Sequence, residues 1–175
     1  MTKSIELERT YLLRRLPDEL NSATPKHMVD VYIPDHGVDH PHIRIRAKDD
    51  TYVITKKYPV HEGDTTQQVE NTIPLNKNEY DALKITSKAI VEKLRYNIDI
   101  DGFPAEVDVF QGALKGLAMV DFEFKDYDHL KTFKMPDVAL CEVSNVGFLA
   151  GGLLAGKSYD DIAEQLSSLG YARID

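Results

Sequence analysis

The sequence predicts an α+β domain built on a mostly antiparallel β-sheet that closes into a barrel, with helices packed on the outside. Roughly eight or nine segments of the 175-residue chain alternate apolar and polar residues with period two, as half-buried strands do. Two further segments carry the start signals of helices. The charged faces of the alternating segments are sorted by sign, which indicates that they meet in one polar interior.

The alternating segments follow one another along the chain. In the first, SIELERTYLL, Ile5 and Leu7 lie on one face, whereas Glu6 and Glu8 lie on the other. Because the charged faces would line the interior of a barrel, the apolar faces would point outward and need helices to cover them. The remaining segments are HMVDVYI, HIRIRAK, TYVITKK, QQVENTIPL, EKLRYNIDI, AEVDVF, MVDFEF and ALCEVS.

Two helices are predicted from their capping signals. Asn76 and Glu79 have the spacing of a capping box, and Ser158 has the position of an N-cap for a last helix that Gly170 ends. Short helical turns are predicted near LPDEL and YDHLKTF. Since the sequence has no internal repeat and no linker, we expect a single domain over residues 1–175.

Composition and charge exclude several classes of protein. The formal net charge of −8 at pH 7 argues against general nucleic-acid binding. No apolar run approaches the roughly 20 residues of a membrane span, and the acidic residues near the start are unlike a signal peptide. Cys141 is the single cysteine, so a reducing cytoplasm is expected. The expected partner is therefore a small molecule, bound by a cytoplasmic monomer or homodimer without nucleic acid or membrane.

Residues 151–158, GGLLAGKS, match the phosphate-binding loop pattern G-x-x-x-x-G-K-[ST]. Such a loop follows a buried parallel strand and precedes further strands, and too little chain follows Ser158 for these. We interpret the segment as a glycine-rich turn into the last helix. Lys157 is nevertheless a candidate phosphate contact, because the N-terminus of a helix favours anions.

The charged strand faces indicate a site for a polyanion and a divalent metal ion. Residues i and i+2 lie on one face, about 6.6–6.8 Å apart. Two carboxylates at this spacing, opposite another such pair, can share a hard cation, and two arginines can bind successive phosphoryl groups. The acidic pairs are Glu6, Glu8, Asp121 and Glu123, and the basic residues are Arg44, Arg46, Lys57 and Arg95.

A second metal site is conceivable in the segment PDHGVDHPH, where His36, His40 and His42 lie close together with two aspartates. A polar loop between two strands explains the same composition. We therefore interpret this segment as a loop.

Taken in order, the motifs resemble those of the CYTH domain family, the triphosphate tunnel metalloenzymes. The resemblance runs from Glu6 to about Tyr171. Residues 6–8 resemble the acidic part of E-x-E-x-K, residues 44–46 R-x-R, and residues 55–57 T-x-K. Residues 93–96 resemble K-x-R-Y, residues 108–112 D-x-F-x-G, residues 121–124 E-x-E-F, and residues 142–144 E-V-T.

The resemblance implies a closed eight-stranded antiparallel tunnel that binds a triphosphate end-on with Mg²⁺ or Mn²⁺. Family members include inorganic, thiamine and RNA triphosphatases and one class of adenylyl cyclases. By position, the resemblance assigns Glu6, Glu8 and Glu123 to the principal metal, and Asp108 and Asp121 to a second metal or the attacking water. It assigns Arg44, Arg46, Lys57 and Arg95 to the phosphoryl oxygens.

The chain departs from the family pattern at several positions. Thr10 replaces the signature lysine, Asp121 replaces a glutamate, and Val138 stands where a tryptophan is common. Only Glu70 remains of an R-x-E-x-E strand. The leading hypothesis is a metal-dependent triphosphatase with reduced activity that prefers inorganic tripolyphosphate. The alternatives are a polyphosphate- or nucleotide-binding module without turnover, or an adenylyl cyclase or thiamine triphosphatase.

Overall fold

The chain forms one antiparallel β-sheet with a few helices. The computed structural model describes residues 2–38, 41, 43–61 and 64–174, excluding the side chains of residues 2–6, 57, 60, 61 and 64–68. Within this range the strands are β1 (Thr2–Leu13), β2 (Lys26–Ile33), β3 (Ile43–Lys48), β4 (Thr51–His61), β5 (Asp64–Leu75), β6 (Ile90–Ile100), β7 (Phe103–Phe110), β8 (Ala118–Phe124) and β9 (Ala139–Glu142). The helices are α1 (Lys77–Lys84), α2 (Tyr127–Thr132), α3 (Gly151–Leu154) and α4 (Tyr159–Ser168).

The strand order is β5-β4-β3-β2-β6-β7-β8-β1-β9. One edge of β1 pairs with β8, and the other edge is divided between two strands. Its first residues, Thr2–Leu7, pair with β5, whereas Tyr11–Leu13 pair with β9. Among the described strands β9 pairs with β1 alone, so the sheet is open at this end. The predicted closed eight-stranded barrel is therefore wrong, because the described sheet has nine strands and ends at β9, which has no second partner strand among them.

The outer face of the sheet is apolar, and α1 and α2 cover it. Leu130 of α2 and the following Phe133 pack on the outer faces of β7 and β8, where the ring centroids of Phe133 and Phe122 lie 4.7 Å apart. Tyr80 of α1 packs with Ile45 of β3. These two helices lie outside, as the alternation of the strands predicts.

The C-terminal helices lie on the opposite face, which we call the inner face because it carries the charged residues. By alternation Phe110 shares this face with Asp108, yet it packs in one cluster with Leu154, Ile162 and Leu166 of α3 and α4. The prediction that the helices pack on the outside is therefore wrong for α3 and α4. The physical reason is that the inner face becomes apolar at one end, where burial removes its side chains from water. These side chains are Leu12, Val91, Phe110 and Met119.

The segment GGLLAGKS contains α3 and the turn that leads into α4. A Cβ atom on Gly151 would overlap the hydroxyl of Tyr32, and one on Gly152 would lie 2.9 Å from the carbonyl oxygen of Pro41. The two glycines therefore serve close packing of the chain. Ser158 caps α4 in a capping box with Asp161, as predicted, and the strand before the segment, β9, is antiparallel to β1.

No helix in the described part of the chain is long and apolar enough to cross a membrane.

Candidate active site

A cavity of about 540 Å³ lies between the inner face and the segment 143–154. This volume falls within the range of about 300–1,000 Å³ that is common for small-molecule sites. The cavity brings together residues that are far apart in the sequence, from the first strand to the eighth. Seven residues predicted from the sequence line it: Glu8, Arg44, Arg46, Arg95, Asp108, Asp121 and Glu123.

The structure does not place the other three predicted site residues among the described residues that line the cavity. The side chains of Glu6 and Lys57 lie outside the described part of the structure. Lys157 lies just before α4 and is not among the residues that line the cavity. Of the three histidines in the segment 34–42, His40 and His42 also lie outside the description, and His36 contacts Asp35 at the surface.

Two arginines on β3 form the first basic cluster of the cavity, together with Asp30 of β2. Arg46 donates from Nε to Asp30 Oδ1 (2.6 Å) and from Nη2 to Asp30 Oδ2 (2.7 Å). Arg44 Nη1 lies 3.8 Å from Asp30 Oδ2. Arg44 Nε is buried and has no hydrogen-bond partner among the described residues. Orphaned buried donors are rare, so this nitrogen indicates a place for an acceptor from a ligand.

The cluster keeps Asp30 and Arg44 charged. Burial opposes the ionisation of Asp30, but the attraction of Arg44 and Arg46 is stronger and holds its pKa well below the usual range. Burial also opposes the charge of Arg44, yet Asp30 raises the pKa of this guanidinium above its ordinary value. Two guanidinium groups and one carboxylate leave a net positive charge on this wall of the cavity.

Lys93 and Arg95 of β6 form the second basic cluster around Asp108 of β7. Lys93 Nζ donates to Asp108 Oδ2, and Arg95 donates from Nε to Asp108 Oδ1 (2.6 Å) and from Nη2 to Asp108 Oδ2 (2.5 Å). Arg95 also donates to Glu106 and, over 3.3 Å, to Asp121. The network links the basic strand β6 to the acidic strands β7 and β8.

The ionisation of this second cluster differs from group to group. Burial opposes the ionisation of Asp108, but Arg95 and Lys93 outweigh it and lower its pKa to about 2. Burial and the repulsion of Arg95 lower the pKa of Lys93. Burial raises the pKa of Asp121, and the nearby charge of Asp108 adds to this rise against the attraction of Arg95.

Acidic residues of β1 and β8 line another part of the cavity, which we call the acidic wall. Glu8 and Glu123 are direct cross-strand partners, and so are Thr10 and Asp121. Thr10 Oγ1 donates to Asp121 Oδ1 (2.7 Å), so the residue that replaces the family lysine is a neutral donor to a carboxylate. Among the described side chains, no three carboxylate, imidazole or thiol groups are grouped so as to hold a metal ion.

The cavity residues that the prediction from the sequence missed include Asp30, Lys93 and Lys48. Asp30 is a single acid in the otherwise apolar segment HMVDVYI, and its place between Met28 and Tyr32 on one face is the signal that could have found it. Lys93 belongs to the K-x-R-Y motif but was not assigned a role. Lys48 lies two residues beyond Arg46 on the same face of β3 and also lines the cavity.

Comparison with known proteins finds inorganic triphosphatases among the relatives of this chain. The chain is 31% identical over 133 residues to an inorganic triphosphatase of Nitrosomonas europaea, over 75% of this chain and 83% of that protein. It is 32% identical over 95 residues to an inorganic triphosphatase of Acetivibrio thermocellus, over 54% of this chain and 59% of that protein. A crystal structure of an inorganic triphosphatase shares the fold, with a TM-score of 0.62 and 24% identity over 86% of this chain and 93% of that one. No family model matches the chain.

The fold and the cavity define an antiparallel β-protein whose inner face carries both paired arginines and paired carboxylates. The chain belongs to the family of these inorganic triphosphatases, the CYTH domain family that its motifs resemble.

Proposed function

We propose that this protein hydrolyses short inorganic polyphosphate, tripolyphosphate before ATP, in a reaction that depends on Mg²⁺ or Mn²⁺. The observation that carries the proposal is one cavity with a basic wall and an acidic wall. The basic wall holds Arg44, Arg46 and Arg95, and the acidic wall holds Glu8 and Glu123. The membership of the family of inorganic triphosphatases supports this choice of substrate.

The residues of the acidic wall fit a divalent cation. Two carboxylates directly opposite each other on neighbouring strands repel, and a shared cation would turn this repulsion into attraction. Carboxylate oxygens are also the ligands that Mg²⁺ and Mn²⁺ take in proteins. When bound, such a cation would neutralise phosphoryl charge and lower the pKa of a water molecule. We assign Glu6, Glu8, Asp121 and Glu123 as its ligands.

The basic wall would bind and orient the substrate. Phosphoryl transfer requires little covalent chemistry from the protein, so positioning and electrostatic stabilisation account for most of the catalysis. We assign Arg44, Arg46, Lys57 and Arg95 to the phosphoryl oxygens. Asp108 would act on the substrate indirectly, because it holds Lys93 and Arg95 in place.

Phosphate release from tripolyphosphate tests this proposal. We expect release with Mg²⁺ or Mn²⁺, none after addition of a chelator, and slower release from ATP, because its base must be accommodated beyond the charged part of the cavity. If the protein binds tripolyphosphate but releases no phosphate with either metal over a range of pH, it is a binding module and the proposal is wrong.

We further propose a cytoplasmic protein that acts as a monomer or homodimer on a small molecule. The single cysteine, Cys141, and the net charge of −8 support this proposal. Light scattering of the full chain distinguishes the two oligomeric states.

A further inference from the structure

Asp30 is an acidic residue on the basic wall of the cavity. Its side chain is only 3% exposed, and it lies on β2 directly opposite Arg46 of β3. A carboxylate at this place weakens the attraction of the cavity for an anion, because it offsets one of the two positive charges beside it. Its presence therefore requires an explanation other than anion binding.

The geometry of the cluster supplies this explanation. Arg46 uses Nε and Nη2 for Asp30, which fixes the plane of the guanidinium at two points. Nη1 of Arg46 takes no part in this pair. Arg44 is attracted to the same carboxylate over 3.8 Å, and its Nε has no partner among the described residues. Each arginine thus has a nitrogen that Asp30 does not occupy.

We propose that Asp30 is a positioning residue that holds Arg44 and Arg46 in the orientation in which they bind phosphoryl groups. Asp30 does not touch the substrate and acts through the two guanidinium groups. The inference rests on the proposed function, since it assigns Asp30 to the site that binds the triphosphate. A purely stabilising role is the competing explanation, and buried ion pairs are weak grounds for stability.

A double-mutant cycle of Asp30→Asn and Arg46→Gln tests the proposal. Each single variant is expected to lower kcat for tripolyphosphate by about 10- to 100-fold, because a small misplacement of a binding group has an effect of this size. The KM of Asp30→Asn should stay the same or fall, because the cavity loses a negative charge. In the Arg46→Gln background, Asp30→Asn should slow the enzyme by a smaller factor than it does in the wild type, since only Arg44 is then left for Asp30 to position.

Rates are compared per folded protein, with the folded fraction taken from thermal unfolding of each variant. Fully additive losses in the cycle would show that Asp30 acts independently of Arg46 and would overturn the proposal. Asp137→Asn, which removes a surface partner of Arg15, is the control and should keep wild-type kinetics.

Two further measurements keep the test decisive. Arg46→Lys retains the charge but cannot bond both oxygens of Asp30 in one plane. It should therefore be slowed like Arg46→Gln, and a wild-type rate would overturn the proposal even if Asp30→Asn does not fold. If the wild type releases no phosphate, the proposed function fails by itself. The same cycle is then measured on the Kd for tripolyphosphate by calorimetry, where additive effects of the two substitutions would again reject the positioning role.

Discussion

At the scale of single residues, Glu8 is the side chain whose removal should separate catalysis from binding. Glu8→Gln keeps the volume of the side chain but removes a charged oxygen ligand opposite Glu123. We expect metal-dependent phosphate release to be abolished while tripolyphosphate still binds to the basic wall. Phosphate release and calorimetric binding measure the two properties.

Glu164→Gln, on the exposed side of α4, is the matched control and should leave both properties unchanged. Wild-type turnover of Glu8→Gln would contradict the assignment of Glu8 as a metal ligand.

A second prediction concerns Thr10, which replaces the lysine of the family motif. Burial raises the pKa of Asp121, the cross-strand partner of Thr10. Thr10→Lys places a positive charge beside this carboxylate and should therefore keep it ionised. We expect kcat/KM for tripolyphosphate to rise by roughly tenfold, the size of one charge-assisted contact. The acid limb of the pH–rate profile should move to lower pH.

Thr10→Met has a side chain of similar reach without the charge and should be slower than the wild type. If Thr10→Lys is as slow as Thr10→Met, the missing charge does not limit the enzyme.

At the scale of elements, α3 depends on a glycine at its first residue. Gly151→Ala would drive a methyl group into the hydroxyl of Tyr32, which is itself buried. We expect a loss of about 1–3 kcal/mol in the free energy of unfolding, the usual range for overpacking. Chemical denaturation of the purified variant measures it.

Gly147→Ala is the matched control in the same segment. A Cβ atom there meets nothing within 4 Å, and the backbone of Gly147 does not require a glycine. Equal stability of the two variants would show that the contact with Tyr32 is unimportant.

The elements themselves could be predicted from the sequence, because their signals are local. Each of the nine alternating segments forms a strand, and Asn76 and Ser158 cap α1 and α4 as expected. The placement of α3 and α4 could not be predicted, because it depends on contacts between distant parts of the chain. Leu12 and Phe110 interrupt the charged pattern of the inner face, but the alternation alone does not say what covers them.

The site was predictable to a similar degree. Arg44, Arg46 and Glu123 stand out because two charges at alternate positions of a strand are visible in the sequence. Asp30 is a single charge whose meaning depends on Arg46 of the neighbouring strand. Neither the sequence of β2 nor that of β3 shows that the two strands pair, so the cluster can be recognised only in the folded structure.

At the scale of the whole molecule, the buried carboxylates should make the fold sensitive to acid. The pKa of Asp108 is lowered on folding, so its ionisation stabilises the protein above its ordinary pKa of 3.8. This contribution should be lost as the pH falls from 3.8 to about 2. Asp30, whose pKa also lies below the usual range, adds to the same loss.

Urea unfolding between about pH 5 and about pH 2 measures how the free energy of unfolding depends on pH. These values span the titration of a carboxylate with a pKa of about 3.9. Asp108→Asn should be less stable at neutral pH and should lose less stability between these pH values than the wild type. An identical slope for both proteins would contradict the role of Asp108.

The C-terminal segment covers the apolar end of the inner face, and this affects how substrate enters the cavity and how phosphate leaves it. Because α3 and α4 pack against this end, we expect substrate to enter and phosphate to leave at the charged end of the cavity. A longer polyphosphate would enter with one terminal phosphoryl group, and the rest of the chain would remain in solvent. The protein would then shorten such a chain from its end.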